Sequence, residues 1–132
     1  MIDLITRLEQ AEAGSRELDA AIFKGLGGPL PPKFMGMGIT LEWQADGSAL
    51  FPVGEMQIRY SPPAYTTSLD AITALIGEKL PGWMKGYQDD PKGARAYLSD
   101  PDSGRATSSL AKTPATAFCI ALLRAIKDGE HG

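Results

Sequence analysis

The side chains with the most chemistry to offer in this chain are aromatic rings and cations. Trp43, Tyr60, Tyr65, Trp83, Tyr87 and Tyr97 present faces on which a purine can stack. Arg16, Lys33, Arg59, Lys85, Arg95, Arg105 and Lys112 can meet phosphate oxygens. A denser polar cluster lies in AYTTSLDA (64–71), after Pro62-Pro63, where Tyr65, Thr66, Thr67 and Ser68 bring hydroxyls and Asp70 a carboxylate. A helix start there, and another at KTPATA, would add backbone N–H donors for an anion. The candidate ligand-binding set is Arg16, Trp43, Arg59, Tyr65, Thr66, Ser68, Trp83 and Lys112, with Asp70 read as structural. Taken singly, each aromatic suits packing and each cation a solvated surface, so a binding role requires several to converge.

Catalytic chemistry has less to work with. General acid–base catalysis needs groups tuned near neutral pH, and the available carboxylates are Glu55, Asp70, Asp89, Asp90, Asp100 and Asp102. Asp89-Asp90 and Asp100–Asp102 fall in QDDPKG and SDPDSG, where turn chemistry explains them. Cys119, the single cysteine, sits in an apolar helical run and reads as a small core residue. His131 is the single histidine and lies near the C-terminus, in an expected frayed tail. One Cys and one distant His make neither a zinc site of the common ligand sets nor a nucleophile–histidine pair. Gly25-x-Gly27-Gly28 follows no strand, so it is not a dinucleotide fingerprint, and no P-loop is present. The expectation is a protein with no catalytic residues, no metal and no cofactor.

The elements that must position these groups follow from length and patterning. At 132 residues the chain predicts a single domain over 1–132, with apolar residues enough for one core. A net charge of −3 argues against binding a nucleic-acid polymer, while leaving material for a local basic pocket. No apolar run reaches the roughly 18 residues of a membrane span, and MIDLITRLEQ is not a signal peptide. A cytoplasmic location is therefore expected.

Ile2, Ile5 and Leu8 predict a first amphipathic helix, broken at Gly14. Ser15 caps a second helix over SRELDAAIFKGLGG, ended by Gly25, Gly27 and Gly28. Its spacing predicts a solvated Arg16–Asp19 pair, with Arg16 reaching an anionic ligand as the alternative. PLPPKFMG is irregular, and an insertion over about 29–63 holds a hairpin with a third short strand. Thr67 or Ser68 caps a helix carrying Leu69, Ile72, Leu75 and Ile76, stopped at Pro81-Gly82. WMKGY, ARAYL and RATSSLA predict an antiparallel meander with turns at QDDPKG and SDPDSG. A last helix is capped by Thr113, has Pro114 at its first position and ends at Gly129. The fold class is α+β, a layered α/β/α sandwich with a central antiparallel sheet and three main helices.

LITRLEQAEAGSRELDAAI, YTTSLDAITALI and TPATAFCIALLRAI, in that order, resemble the phage ABA-sandwich family. The resemblance implies a layered α/β/α domain of phage or prophage origin. Such small phage proteins include anti-defence sponges, which sequester cyclic nucleotide or cyclic ADP-ribose-type immune signals without cleaving them. By that analogy the chain is expected to be a non-enzymatic, homo-oligomeric binder of a small anionic nucleotide-like ligand. The alternative is a structural or accessory virion protein acting through protein contacts, with Phe34, Met35 and Met37 in an apolar docking arm.

Overall fold

The computed structural model describes residues 2–26, 42–45, 47–53 and 55–131. Helix α1 (Ile2–Gln10) buries Ile5 and Leu8, one turn apart on a single face. The chain breaks at Gly14 and restarts as α2 (Arg16–Leu26). Ser15 caps α2 as expected: its hydroxyl accepts from Leu18 N–H at 3.1 Å and its carbonyl from Asp19 N–H at 3.0 Å.

Strands β1 (Glu42–Trp43), β2 (Ala49–Val53) and β3 (Met56–Tyr60) form an antiparallel sheet in that order. The register sets Ala49 opposite Tyr60 and Leu50 opposite Arg59. This sheet meets α2 through rings: Phe23 lies 5.7 Å from Trp43 and 5.6 Å from Tyr60, centroid to centroid. Ile39 and Leu41 of the expected first strand lie outside the described residues. So do Lys33 and the Phe34, Met35 and Met37 of the expected docking arm.

Helix α3 (Leu69–Lys79) is capped by Ser68, whose hydroxyl accepts from Ala71 N–H at 3.2 Å, and buries Ile72, Leu75 and Ile76. The second sheet holds β4 (Met84–Asp90), β5 (Gly93–Ser99) and β6 (Ala106–Ala111), the predicted meander. One correction concerns Asp89 and Asp90, which were expected in a turn but end β4 opposite Ala94 and Gly93. The turn needs only Pro91-Lys92 between the paired residues, and Asp90 Oδ1 accepts from Lys92 N–H at 3.0 Å to tighten it. The SDPDSG turn does behave as predicted. Asp100 accepts from Asp102 N–H and from the Ser103 hydroxyl, and these bonds, the hydroxyl first, hold its carboxyl below the usual range.

Helix α4 (Pro114–His131) starts at the predicted Thr113 cap but does not stop at Gly129. A glycine in a helix costs only about 1 kcal/mol, and residues 115–123 upstream form an unbroken buried run. This helix is the spine of the molecule: it lies on β5 and β6, and α1 and α3 pack against it. Ala94, Ala96 and Leu98 of β5 are buried on that side, and the two alanines let the helix come close. The opposite face carries Arg95, Tyr97 and Ser99, with Tyr97 in register between Gly86 and Ser108 and 40% exposed.

The fold is thus α+β, built of helix and sheet layers. Its six described strands form two three-stranded antiparallel sheets, and α3 lies between them in the chain. No helix among the described residues is long and apolar enough to cross a membrane.

Candidate functional site

The segment around Tyr65 and Thr66 meets the start of α2, and the meeting point is a carboxylate that sequence reading placed in solvent. Asp19 is fully buried. Its Oδ1 accepts from Thr66 N–H at 2.8 Å and from the Thr66 hydroxyl at 2.6 Å, and its Oδ2 from Arg16 Nη1 at 3.1 Å. A hydroxyl has one proton, and the short, charge-assisted contact to Asp19 takes it. Thr66 Oγ1 then accepts from Ser15 N–H at 2.9 Å. The solvated Arg16–Asp19 pair expected from spacing is corrected: only its Arg16 end reaches solvent, the side chain being 44% exposed. Periodicity set the two residues one turn apart but carried no sign that another segment would cover the carboxylate.

Two glycines allow this close approach. A Cβ at Gly14 would collide with the Thr66 carbonyl. Gly47 adopts φ +87°, and a Cβ there would come 2.5 Å from the Arg16 carbonyl oxygen. From the other side, α4 holds the same segment through Thr116 Oγ1 to Thr66 O at 3.4 Å and Cys119 Sγ to Tyr65 O at 3.3 Å. Among the described residues no buried side-chain nitrogen or oxygen lacks a partner. The cluster is therefore a closed polar lock joining α2, α4 and the entry to α3.

This lock takes up much of the candidate set. Tyr65 and Thr66 are buried at 3% and 0% exposure, so they face the interior rather than a ligand. Ser68 is committed to the α3 cap. Arg16 Nη2 also donates to Pro62 O at 2.7 Å, and Arg59 Nη1 donates to Ser48 Oγ at 2.7 Å beside Gly47. Trp83 lies elsewhere, beneath the Arg105 guanidinium at 5.4 Å, while Arg105 donates to the Ala125 carbonyl at 2.9 Å. Lys112 is exposed beside the start of α4. Arg16, Arg59 and Thr66 thus gather around one corner of the fold; Trp43, Trp83 and Lys112 do not join them.

Beside this carboxylate the Tyr65 phenol and the Cys119 thiol are held in their neutral forms. Burial, with smaller effects from Tyr60, Glu78, Asp19 and Cys119, pushes the Tyr65 phenol up to about 12. Burial, then the charge of Asp19, pushes the Cys119 thiol well above its ordinary value, which makes it a poor nucleophile. Among the described residues no three His, Cys, Asp or Glu side chains gather closely enough to hold a metal ion.

A different site emerges between α1 and α2, which sequence reading did not single out. A groove of about 370 Å³ is lined by Asp3, Leu4 and Arg7 of α1, Ala21, Lys24 and Gly25 of α2, and Leu123 of α4. Leu4 and Ala21 supply apolar wall, the fully buried Leu123 backs it, and Gly25 contributes no side chain. Lys24 Nζ stands 5.1 Å from the centre of the Trp43 ring, so Trp43 serves this groove by steadying one of its cations. Asp3 and Arg7 are four apart on α1, and that spacing was the one available sequence signal. Their pairing with Lys24 across two helices had none.

Compared with known protein families, with curated proteins and with solved structures, the chain matches none.

Proposed function

We propose that this protein is a non-enzymatic binder of a small anionic, nucleotide-like ligand. The observation that carries the reading is the α1–α2 groove, where the cations Arg7 and Lys24 share one concavity with an apolar wall. Arg16, Arg59, Arg105 and Arg124 all spend guanidinium hydrogens on protein acceptors. Arg7 makes no hydrogen bond or ion pair among the described residues, and Lys24 makes only its ring contact with Trp43. A groove of this volume lies at the lower end of small-molecule sites. It suits one base with its sugar phosphate, so a cyclic dinucleotide would engage two copies of the chain. The non-enzymatic part is supported by the lock, whose carboxylate is buried with both oxygens hydrogen-bonded, and by the neutral phenol and thiol beside it.

The resemblance of LITRLEQAEAGSRELDAAI, YTTSLDAITALI and TPATAFCIALLRAI to the phage ABA-sandwich family adds a setting. In that setting the protein is an anti-defence sponge that sequesters a cyclic nucleotide or cyclic ADP-ribose-type signal in the host cytoplasm. A second reading, an accessory virion or assembly protein, is favoured by a different observation. The open face of the β4–β6 sheet presents Tyr97, and Met84 at its end is 63% exposed.

The test is thermal unfolding with cyclic dinucleotides and cyclic ADP-ribose isomers, followed by denaturation and mass analysis of the recovered ligand. A raised melting temperature and an unaltered mass are expected. No shift with any of these ligands sinks the sponge reading, and a changed mass overturns the non-enzymatic one. Co-purification with phage particles would instead favour the assembly role.

A further inference from the structure

We infer that the α1–α2 groove reads a base edge as well as a charge, and so selects a nucleotide whose base presents two adjacent N–H donors. This rests on the anionic-ligand reading and assigns its discriminating residue, Asp3. Asp3 and Arg7 lie one turn apart on α1 and both line the groove, as does Lys24 of α2. The Asp3 side chain makes no hydrogen bond or ion pair among the described residues, not even with the Arg7 guanidinium, its natural i,i+4 partner. A carboxylate is an acceptor only, and its two oxygens match a pair of parallel N–H donors. A guanidinium and an ammonium are donors only, and match phosphate.

The groove therefore holds opposite demands side by side, along one apolar wall. A bare phosphate satisfies Arg7 and Lys24 but is repelled by Asp3. An aliphatic anion uses Leu4 and Ala21 but leaves Asp3 without a donor. A guanine nucleotide answers all of them: phosphate at Arg7 and Lys24, the ring against the apolar wall, and its amide and amino N–H groups at Asp3. Adenine offers one amino donor next to a ring acceptor, which would face the carboxylate oxygen.

Isothermal titration with guanosine 5′-monophosphate, adenosine 5′-monophosphate and ribose 5-phosphate tests this directly. The guanine nucleotide should bind about tenfold or more tightly than the other two, the difference expected of charge-assisted hydrogen bonds. Asp3→Asn, and Asp3→Ser as a second variant, should erase that preference while leaving ribose 5-phosphate binding intact or stronger. Arg7→Ala and Lys24→Ala should weaken all three ligands. Equal binding of the three by the unaltered protein, or a guanine preference that survives both Asp3 variants, overturns the base-reading inference and leaves the anionic-ligand reading standing. If none of the three binds while a cyclic signal still raises the melting temperature, the ligand reading again stands and the inference falls. If no anion binds at all, both fall.

Discussion

Thr66 shows how much one hydroxyl can hold. It donates to Asp19, accepts from Ser15 N–H, and sits where nothing reaches water. Thr66→Val keeps the shape but leaves an acceptor of Asp19 and the Ser15 N–H without that partner. A loss of about 2–6 kcal/mol is expected, from about 1–3 kcal/mol for each of the two polar groups stranded. Thr66→Ser should cost only about 1 kcal/mol, the worth of a buried methyl. Urea unfolding of the two variants checks this, and equal stabilities would sink the lock.

The same burial makes a pH prediction through Tyr65. Its phenol ionises near 10.0 in the unfolded chain and at about 12 in the folded one. Between those values the folded state binds the proton that the unfolded state has released. Stability is therefore fully present below about pH 10 and declines as pH rises toward about 12. Tyrosinate absorbance in an alkaline titration should show Tyr65 ionising last. Four tyrosines titrating together near pH 10 would contradict its burial.

At the scale of elements, caps and glycines set where helices begin, and local sequence made those starts legible. Ser15, Ser68 and Thr113 each accept a backbone N–H from the first turn of the following helix, as their residue types predict. Ser68→Ala should remove about 1 kcal/mol by leaving Ala71 N–H without its cap. The helicity of α3 should fray at its first turn, measured by amide hydrogen exchange at residues 69–72. Unchanged exchange there would mean that Ser68 is not the cap that matters. Helix ends and strand ends were less legible. Gly129 lies inside α4, and β4 runs through Asp89 and Asp90. In both places pairing or packing over a whole element outweighs one residue's local preference, because each added ladder or helix bond costs less once the element exists.

On the scale of the whole molecule, α4 organises the fold. It touches the β5–β6 surface, α1 and α3, and its Arg124 reaches Ser109 on β6 and Glu9 on α1. Leu123 of α4 also forms part of the groove between α1 and α2, so ligand in the groove would be coupled to the core. A ligand at 100 times its dissociation constant adds about 2.7 kcal/mol. For a chain of this length that is a rise of roughly 5–15 °C in melting temperature, the size of signal the ligand panel should return. Shifts confined to a degree or two at saturating ligand would speak against the groove as a built site.

The α+β class, the helix starts, the strand meander and the absence of any zinc-type ligand set were determined by the sequence, because these depend on periodicity, caps and residue supply. The first correction came from depth: AYTTSLDA reads as a helix entry with spare hydroxyls, and it is one, but Tyr65 and Thr66 turn inward onto Asp19. The second came from distance: Arg7 and Lys24 stand seventeen positions apart on different helices, and nothing local says that they share a groove. Only the tertiary structure could decide both. A hydrogen-bonding side chain looks alike in sequence whether its partner is water, ligand or another segment, and packing between helices selects the partner.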